Sequence, residues 1–155
     1  MRRIYAVLAW IVAGGVVVQA ASIAFALGGM AHYIQDGGVI DKALVESRQA
    51  AFVGDLGFLV HGVVGGMVIP LSALVLMVVA FFVKARGVRL WAGVVLALVA
   101  LQITLGYSIT DMPYLGLVHG ANALAVLLTS VYAARLVGRG SGLEAGEPAS
   151  DAVAT

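Results

Sequence analysis

The chain has 155 residues, of which 62% are hydrophobic and 11% charged. A soluble domain is about 25% charged, so this composition argues against a water-soluble globule. Nine basic against eight acidic side chains give no basic excess for nucleic-acid binding, and the lack of cysteine excludes disulfides, iron–sulfur clusters and thiolate sites.

Four apolar stretches approach or exceed the roughly 20 residues that a helix needs to cross a bilayer. Span one covers residues 4–27, span two residues 56–83, span three residues 91–109 and span four residues 114–137. Their apolar runs are continuous, which favours helices over the alternating strands of a membrane barrel. The sequence therefore predicts an all-α membrane protein, an up-down bundle of four transmembrane helices.

The connections between the spans differ in length. An outer loop at residues 28–54, with a short amphipathic helix expected around residues 41–53, joins spans one and two. Only residues 110–113 join spans three and four, so these two helices are expected to be antiparallel neighbours. Residues 1–137 form the predicted transmembrane domain, and residues 138–155 read as a flexible cytoplasmic tail.

Basic residues predict the orientation, because they collect on the cytoplasmic side of membrane proteins. Only two lie on the side of the outer loop, Lys42 and Arg48. The other side carries Arg2, Arg3, Lys84, Arg86, Arg89, Arg135 and Arg139. The sequence therefore predicts a multi-pass protein of the bacterial inner membrane with both termini in the cytoplasm.

A short internal repeat is the most informative feature. Leu-Val-His-Gly occurs at residues 59–62 in span two and again at residues 117–120 in span four, an offset of 58. It suggests two helical hairpins related by a pseudo-twofold axis along the membrane normal. His61 and His119 would then lie at one depth on diagonal helices and converge on the bundle axis.

Ionisable side chains inside a membrane span are expensive and indicate function by default. Two imidazoles at one depth suit the two axial positions of a haem iron, so His61 and His119 are predicted to ligate haem b. Small residues beside them are expected to leave room for the macrocycle; these are Gly62, Gly65, Gly66 and Gly116.

Polar residues at a similar depth are candidate partners for the same group. Four of them are predicted to hold the second imidazole nitrogen or a porphyrin propionate, namely Gln102 and Thr104 in span three and Gln19 and Ser22 in span one. Arg48, with Lys42 and Tyr107, is predicted to lie within reach of the propionates at the outer surface.

From about residue 57 to residue 137 the chain resembles part of one four-helix half of the haem A synthase family. That family has two such bundles, each with a histidine on its second and fourth helices, where His61 and His119 stand here. Residues 101–106, Leu-Gln-Ile-Thr-Leu-Gly, are similar to the family's Gln-x-x-Leu-Gly stretch. Phe58 occupies the place of a catalytic glutamate and the family's loop cysteines are missing, so the resemblance implies a haem-b-binding relative.

The opening residues 2–9, Arg-Arg-Ile-Tyr-Ala-Val-Leu-Ala, are similar to a family of uncharacterised four-span membrane proteins of high-GC bacteria. Members of that family also carry a histidine on spans two and four. This second resemblance implies no particular activity.

These observations favour an integral membrane haem-b protein for electron transfer or haem handling, rather than a stand-alone enzyme. The expected partners are the lipid bilayer, another membrane protein or redox complex, and a quinone in the same leaflet. Two alternatives stay open. One is a haem-free accessory or assembly subunit of a larger membrane complex, and the other is a haem A synthase-like enzyme acting as a dimer.

Overall fold

A computed structural model describes residues 1–47 and 49–138, and these contain helices but no β-strand. The helices are α1 (Arg2–Gln35), α2 (Lys42–Ser47), α3 (Leu56–Val63), a π-helical turn (Val64–Val68), α4 (Ile69–Ala80), α5 (Val88–Ser108) and α6 (Leu115–Gly138). α3, the π-turn and α4 follow one another without a break, so four helices are long and apolar enough to cross a membrane. The predicted all-α fold is confirmed, whereas residues 139–155 of the predicted tail lie outside the described residues.

Helix α1 extends beyond the apolar stretch that predicted it. The predicted span ended at residue 27, but the helix continues to Gln35 and is 34 residues long. At 1.5 Å per residue this is about 50 Å, well beyond a hydrocarbon core of about 30 Å. The helix ends where Gly37 takes a φ of +89°, which breaks the right-handed path. The helix is therefore longer than one crossing of a hydrocarbon core requires, and its last turns pack against the loop that follows.

Span two is interrupted near its middle by the π-turn. The amide of Ile69 donates to the carbonyl of Val64, five residues earlier, instead of the four of an α-helix. Pro70 explains the interruption, because its ring would crowd the carbonyl of Gly66 in a regular α-helix. The widened turn Val64–Val68 lies directly before Ile69 and Pro70.

The four long helices form a ring in chain order. α1 packs against α6 and against both halves of span two, and α5 packs against α6 and α4. Spans two and four are therefore diagonal partners, as the two-hairpin arrangement predicts. The half of span two that contains α3 packs chiefly on α1, so the bundle is less closed between α3 and α5.

The buried core of the bundle consists mainly of alanine and valine, and many large apolar side chains are exposed on its outside. Ala9, Ala73 and Ala92 are fully buried, whereas Leu117 and Leu128 are 77% and 68% exposed. Small residues allow close helix contact, and exposed large apolar side chains suit a lipid environment. The chain is a multi-pass membrane protein.

The two ends of the bundle carry opposite charge. The acidic end holds Asp36, Asp41, Glu46, Asp55 and Asp111, and the basic end holds Arg2, Arg3, Lys84, Arg86, Arg89 and Arg135. At the basic end the buried hydroxyl of Tyr5 donates to the carbonyl of Val88 (3.1 Å), which ties the start of α1 to the start of α5. Met1 and Gly138 lie at this same end.

Candidate functional site

The structure brings His61 and His119 together inside the bundle. Their imidazole rings have centroids 6.4 Å apart and planes inclined by 47°. His61 is five residues into α3 and His119 is four residues into α6, so both lie roughly 6–8 Å along their helices from the acidic end. Both side chains are half-buried. The shared depth that the repeat predicted is present.

His61 is fixed by a reciprocal pair of hydrogen bonds to α1. Its Nδ1 lies 3.2 Å from the main-chain carbonyl oxygen of Gln19. In return, the side-chain amide of Gln19 donates to the carbonyl oxygen of His61 at 2.8 Å. These two bonds set both the position of α3 on α1 and the direction of the imidazole.

His119 is fixed in a similar way by α5. Its Nδ1 lies 3.1 Å from the main-chain carbonyl oxygen of Gln102. The side-chain oxygen of Gln102 instead accepts from the amide of Asn122 at 2.7 Å, and the same amide donates to the carbonyl of Leu98 at 2.9 Å. Gln102 therefore orients the histidine through its main chain, while its side chain is held by Asn122.

Sequence reasoning did not assign Asn122 to the site. The signal was present, because Asn122 is the only asparagine of the sequence and follows His119 by three residues. Residues three apart share a helix face, so Asn122 faces the bundle with the histidine and is only 7% exposed. Its amide links α6 to α5 one turn below the imidazole.

The hydrogen bonds determine the tautomer of each neutral ring. A carbonyl oxygen only accepts, so Nδ1 of both histidines must carry the proton and Nε2 must keep its lone pair. No side chain or main-chain group within residues 1–47 and 49–138 hydrogen-bonds to either Nε2. Metal-ligating histidines commonly donate their other ring N–H to a carbonyl in this way.

The predicted glycines differ in the space around them. A Cβ added at Gly62, Gly66 or Gly116 would meet nothing within 4 Å outside its own helix backbone, whereas one at Gly65 would lie 2.9 Å from the side-chain oxygen of Gln19. Gly116 is half-buried, and Gly62 and Gly66 are exposed. The open space is thus beside Gly62, Gly66 and Gly116, and Gly65 accommodates the glutamine that holds His61.

Gly106 on α5 is a further glycine that shapes the site. A Cβ there would lie 3.2 Å from Cε1 and 3.5 Å from Nδ1 of His119. The missing side chain lets the imidazole lie directly against the α5 backbone. In the sequence, Gly106 stands out only as the last residue of the Leu-Gln-Ile-Thr-Leu-Gly stretch. Its contact with His119 depends on how α5 packs against α6, which the sequence does not show.

The acidic end above the histidines is covered by aromatic side chains. Tyr33 and Phe52 have ring centroids 5.9 Å apart, and Phe52 meets Phe58 edge-on at 6.4 Å. Phe58 is three residues before His61, so this cluster extends from the outer loop to the candidate site. His32 is not part of the site, since it is exposed and lies 3.5 Å from Asp36.

The predicted propionate partners lie at or beyond this surface. Lys42 belongs to α2, a six-residue helix within the predicted amphipathic stretch, and its ammonium is 3.5 Å from the carboxylate of Glu46. Tyr107 is 78% exposed at the end of α5. Arg48 lies outside the described residues.

The distance between the two imidazole rings can be compared with the distance expected for two histidines that ligate one metal ion. A metal–imidazole nitrogen bond is about 2.0–2.1 Å long, which places two rings on opposite sides of one ion about 6.3 Å apart at their centroids. The observed 6.4 Å fits this spacing. Among the described residues, no group of three or more His, Cys, Asp or Glu side chains could hold a metal ion. An ion between the two histidines would need its other ligands from elsewhere, as a macrocycle provides.

Comparison with known proteins found no relative of this chain. The chain matches no protein-family model, no curated protein and no solved structure. The resemblance to the haem A synthase family therefore stays a prediction from the sequence.

Proposed function

We propose that the protein is an integral membrane haem-b protein in which His61 and His119 would ligate the haem iron. The observation that carries the proposal is the pair of imidazoles 6.4 Å apart, each with Nδ1 bonded to a main-chain carbonyl and Nε2 without a hydrogen-bond partner among the described residues. This arrangement supplies two neutral nitrogen donors that are already oriented before any ligand binds.

Haem is favoured over a bare metal ion by the number of donors. Structural zinc takes four protein ligands, and catalytic zinc takes three. The described residues offer only two nitrogens at this place and no carboxylate near them. A porphyrin supplies four equatorial nitrogens itself and requires only axial ligands from the protein.

Haem would supply one-electron transfer at this site, and the protein would hold the group and limit access of water to it. Gln19 and Gln102 would keep the imidazoles oriented, and Phe58 with its aromatic neighbours would cover the acidic end. The site lies within one leaflet of a core about 30 Å thick, so it cannot carry electrons across the bilayer alone. The role is therefore electron transfer or haem handling beside a membrane redox partner or a quinone in that leaflet.

The proposed orientation in the membrane follows from the distribution of charge between the two ends of the bundle. The basic end faces the cytoplasm and the acidic end with the histidines faces outward, because basic residues are retained on the cytoplasmic side. The membrane proposed is the bacterial inner membrane.

Haem content of histidine variants tests the proposal. Wild type purified from cells with ample haem is expected to hold about one haem per chain, whereas His61→Ala and His119→Ala each lose it. His32→Ala is the matched control, since His32 is exposed at the acidic end, and it should keep the haem. Equal haem content in all four proteins would contradict the proposal.

A haem-free accessory or assembly subunit is the second candidate. It is favoured by the bonds of Gln19 to His61 and of Asn122 to Gln102, which join neighbouring helices without any ligand. In that case the histidines serve as interhelical hydrogen-bond donors. His61→Ala would then loosen a larger complex during purification, and neither wild type nor variant would contain haem.

A further inference from the structure

The basic end of the bundle carries six cations that lack a carboxylate partner within the described part of the chain. They are Arg2, Arg3, Lys84, Arg86, Arg89 and Arg135. The two ion pairs that the described residues form, His32–Asp36 and Lys42–Glu46, are both at the acidic end. Among residues 1–47 and 49–138, the basic end therefore presents positive charge without a carboxylate partner, at the ends of the membrane-spanning helices.

Several of these cations are held in place by the connection between α4 and α5. The guanidinium of Arg2 donates to the carbonyl of Lys84 at 3.5 Å. Beside it, the bond from Tyr5 to Val88 fixes α1 on this connection, and Tyr5 is fully buried. The start of α1 and the start of α5 therefore meet here, and the guanidinium of Arg2 lies beside the main chain of Lys84.

Arg89 adds a third cation with apolar neighbours. Its guanidinium donates to the carbonyl of Phe81 at 3.4 Å and lies 5.3 Å from the centre of the Phe81 ring. Phe82 and Leu90 next to it are each 66% exposed. A positively charged surface and a lipid-facing apolar surface thus adjoin within a few residues.

We propose that this place binds the phosphate of an anionic phospholipid. The site is a hollow in the α4–α5 connection, lined by Val83, Lys84, Ala85, Gly87, Arg89 and Leu90. Lys84 and Arg89, with Arg2 beside them, donate to the phosphate oxygens, because ammonium and guanidinium groups form strong charge-assisted bonds to phosphate. The acyl chains run along Phe82 and Leu90 toward the bilayer core.

The apolar neighbours distinguish a phospholipid from a free phosphate ion. A free phosphate ion would contact the cations alone, and apolar contacts with Phe82 and Leu90 would add nothing to its binding free energy. A net negative headgroup is favoured over a zwitterionic one, since each Lys or Arg near an anionic surface strengthens binding by about fivefold. The site is independent of haem, because it lies at the opposite end of the bundle from His61.

The chain's own C-terminal residues are the main rival for these cations. Glu144, Glu147 and Asp151 lie beyond the described residues and follow the end of α6 at the basic end. A variant with Glu144→Gln, Glu147→Gln and Asp151→Asn distinguishes binding of the tail from binding of a lipid. If lipid is the occupant, the neutralised variant and wild type bind it alike.

Native mass spectrometry from neutral detergent micelles tests the proposal, with phosphatidylglycerol and phosphatidylcholine as probes. Wild type is expected to retain phosphatidylglycerol over phosphatidylcholine, and Lys84→Gln and Arg89→Gln each lower that retention about fivefold. Lys42→Gln, which removes a cation at the acidic end, is the matched control and leaves retention unchanged.

Four results would overturn the proposal. Equal retention of the two lipids would show that the headgroup charge is not recognised. An equal loss in Lys42→Gln would show that only net charge matters. Retention in the neutralised-tail variant but not in wild type, or full competition by millimolar inorganic phosphate, would assign the cations to the tail or to a soluble anion.

Discussion

The imidazole rings of His61 and His119 lie with their centroids 6.4 Å apart, although 58 positions separate the two residues in the sequence. Each ring is oriented by a main-chain carbonyl of the preceding membrane-spanning helix, that of Gln19 on α1 for His61 and that of Gln102 on α5 for His119. In both hairpins, a main-chain carbonyl of the first helix therefore orients the histidine of the second. The result is a pair of Nε2 atoms at one depth of the bundle, neither of which has a hydrogen-bond partner in the part of the chain that the structure describes.

A methyl group at Gly106 is expected to disturb haem binding. Its Cβ would lie 3.2 Å from Cε1 of His119, so the ring must move by a few tenths of an ångström and its bond to Gln102 weakens. Changes to groups that orient a metal ligand typically cost 10–100-fold in affinity, and we expect about tenfold for Gly106→Ala. Haem titration of the apoprotein measures it. Gly93→Ala on the same helix, where a Cβ meets nothing within 4 Å, should bind as wild type does.

Asn122 is expected to stabilise the bundle whether or not haem is bound. Asn122→Leu removes the bonds to Leu98 and Gln102 and leaves the Gln102 oxygen without its partner, which should cost about 1–2 kcal/mol in a membrane bundle. Thermal unfolding in detergent should show a lower midpoint. Thr129→Val is the control, because the Thr129 hydroxyl bonds only within its own helix. Similar midpoints for both variants would contradict this role.

The outer loop is expected to depend on close backbone approach at Gly29. A Cβ at this position would overlap the carbonyl oxygen of Val53, so Gly29→Ala must push the loop away from α1. We expect a loss of about 1–3 kcal/mol, as for other overpacked sites. Gly28→Ala, whose Cβ meets nothing within 4 Å, should keep or slightly raise the unfolding temperature since alanine favours helix. Equal stability of the two variants would show that the loop is not seated on Gly29.

The fold and the histidine pair were predictable from the sequence for a specific reason. A membrane span is recognised from a continuous apolar run, and the repeated Leu-Val-His-Gly marks equivalent positions on two of the spans. The end of α1 was missed because Gln35 lies beyond the apolar run, in a stretch that remains helical until Gly37. Hydropathy reports where a helix is apolar, not where it stops.

The sequence does not predict which main-chain groups contact the histidines. Gln102 was predicted to act on the imidazole, and its carbonyl does so, but nothing in the residue type shows that its side chain pairs with Asn122. The contact of Gly106 with His119 likewise depends on the rotation of α5 relative to α6. Such relationships follow from helix packing, and an apolar sequence without charged pairs contains little information about it.

The orientation can be tested directly because the natural chain has no cysteine. Ala43→Cys places one thiol on α2 at the acidic end, and Ala85→Cys places one at the basic end; both positions are exposed. A membrane-impermeant maleimide should label Ala43→Cys in intact spheroplasts, and Ala85→Cys only after permeabilisation. The reverse pattern would place the candidate site on the cytoplasmic side.

The optical spectrum of the purified wild-type protein, oxidised and then reduced with dithionite, tests the central claim most directly. If His61 and His119 both ligate haem b, reduction should give a sharpened Soret band and split α and β bands of a six-coordinate low-spin haem, unchanged by carbon monoxide. A protein made with ample haem that shows no Soret band would contradict haem binding. A carbon monoxide-sensitive, five-coordinate spectrum would contradict ligation by both histidines.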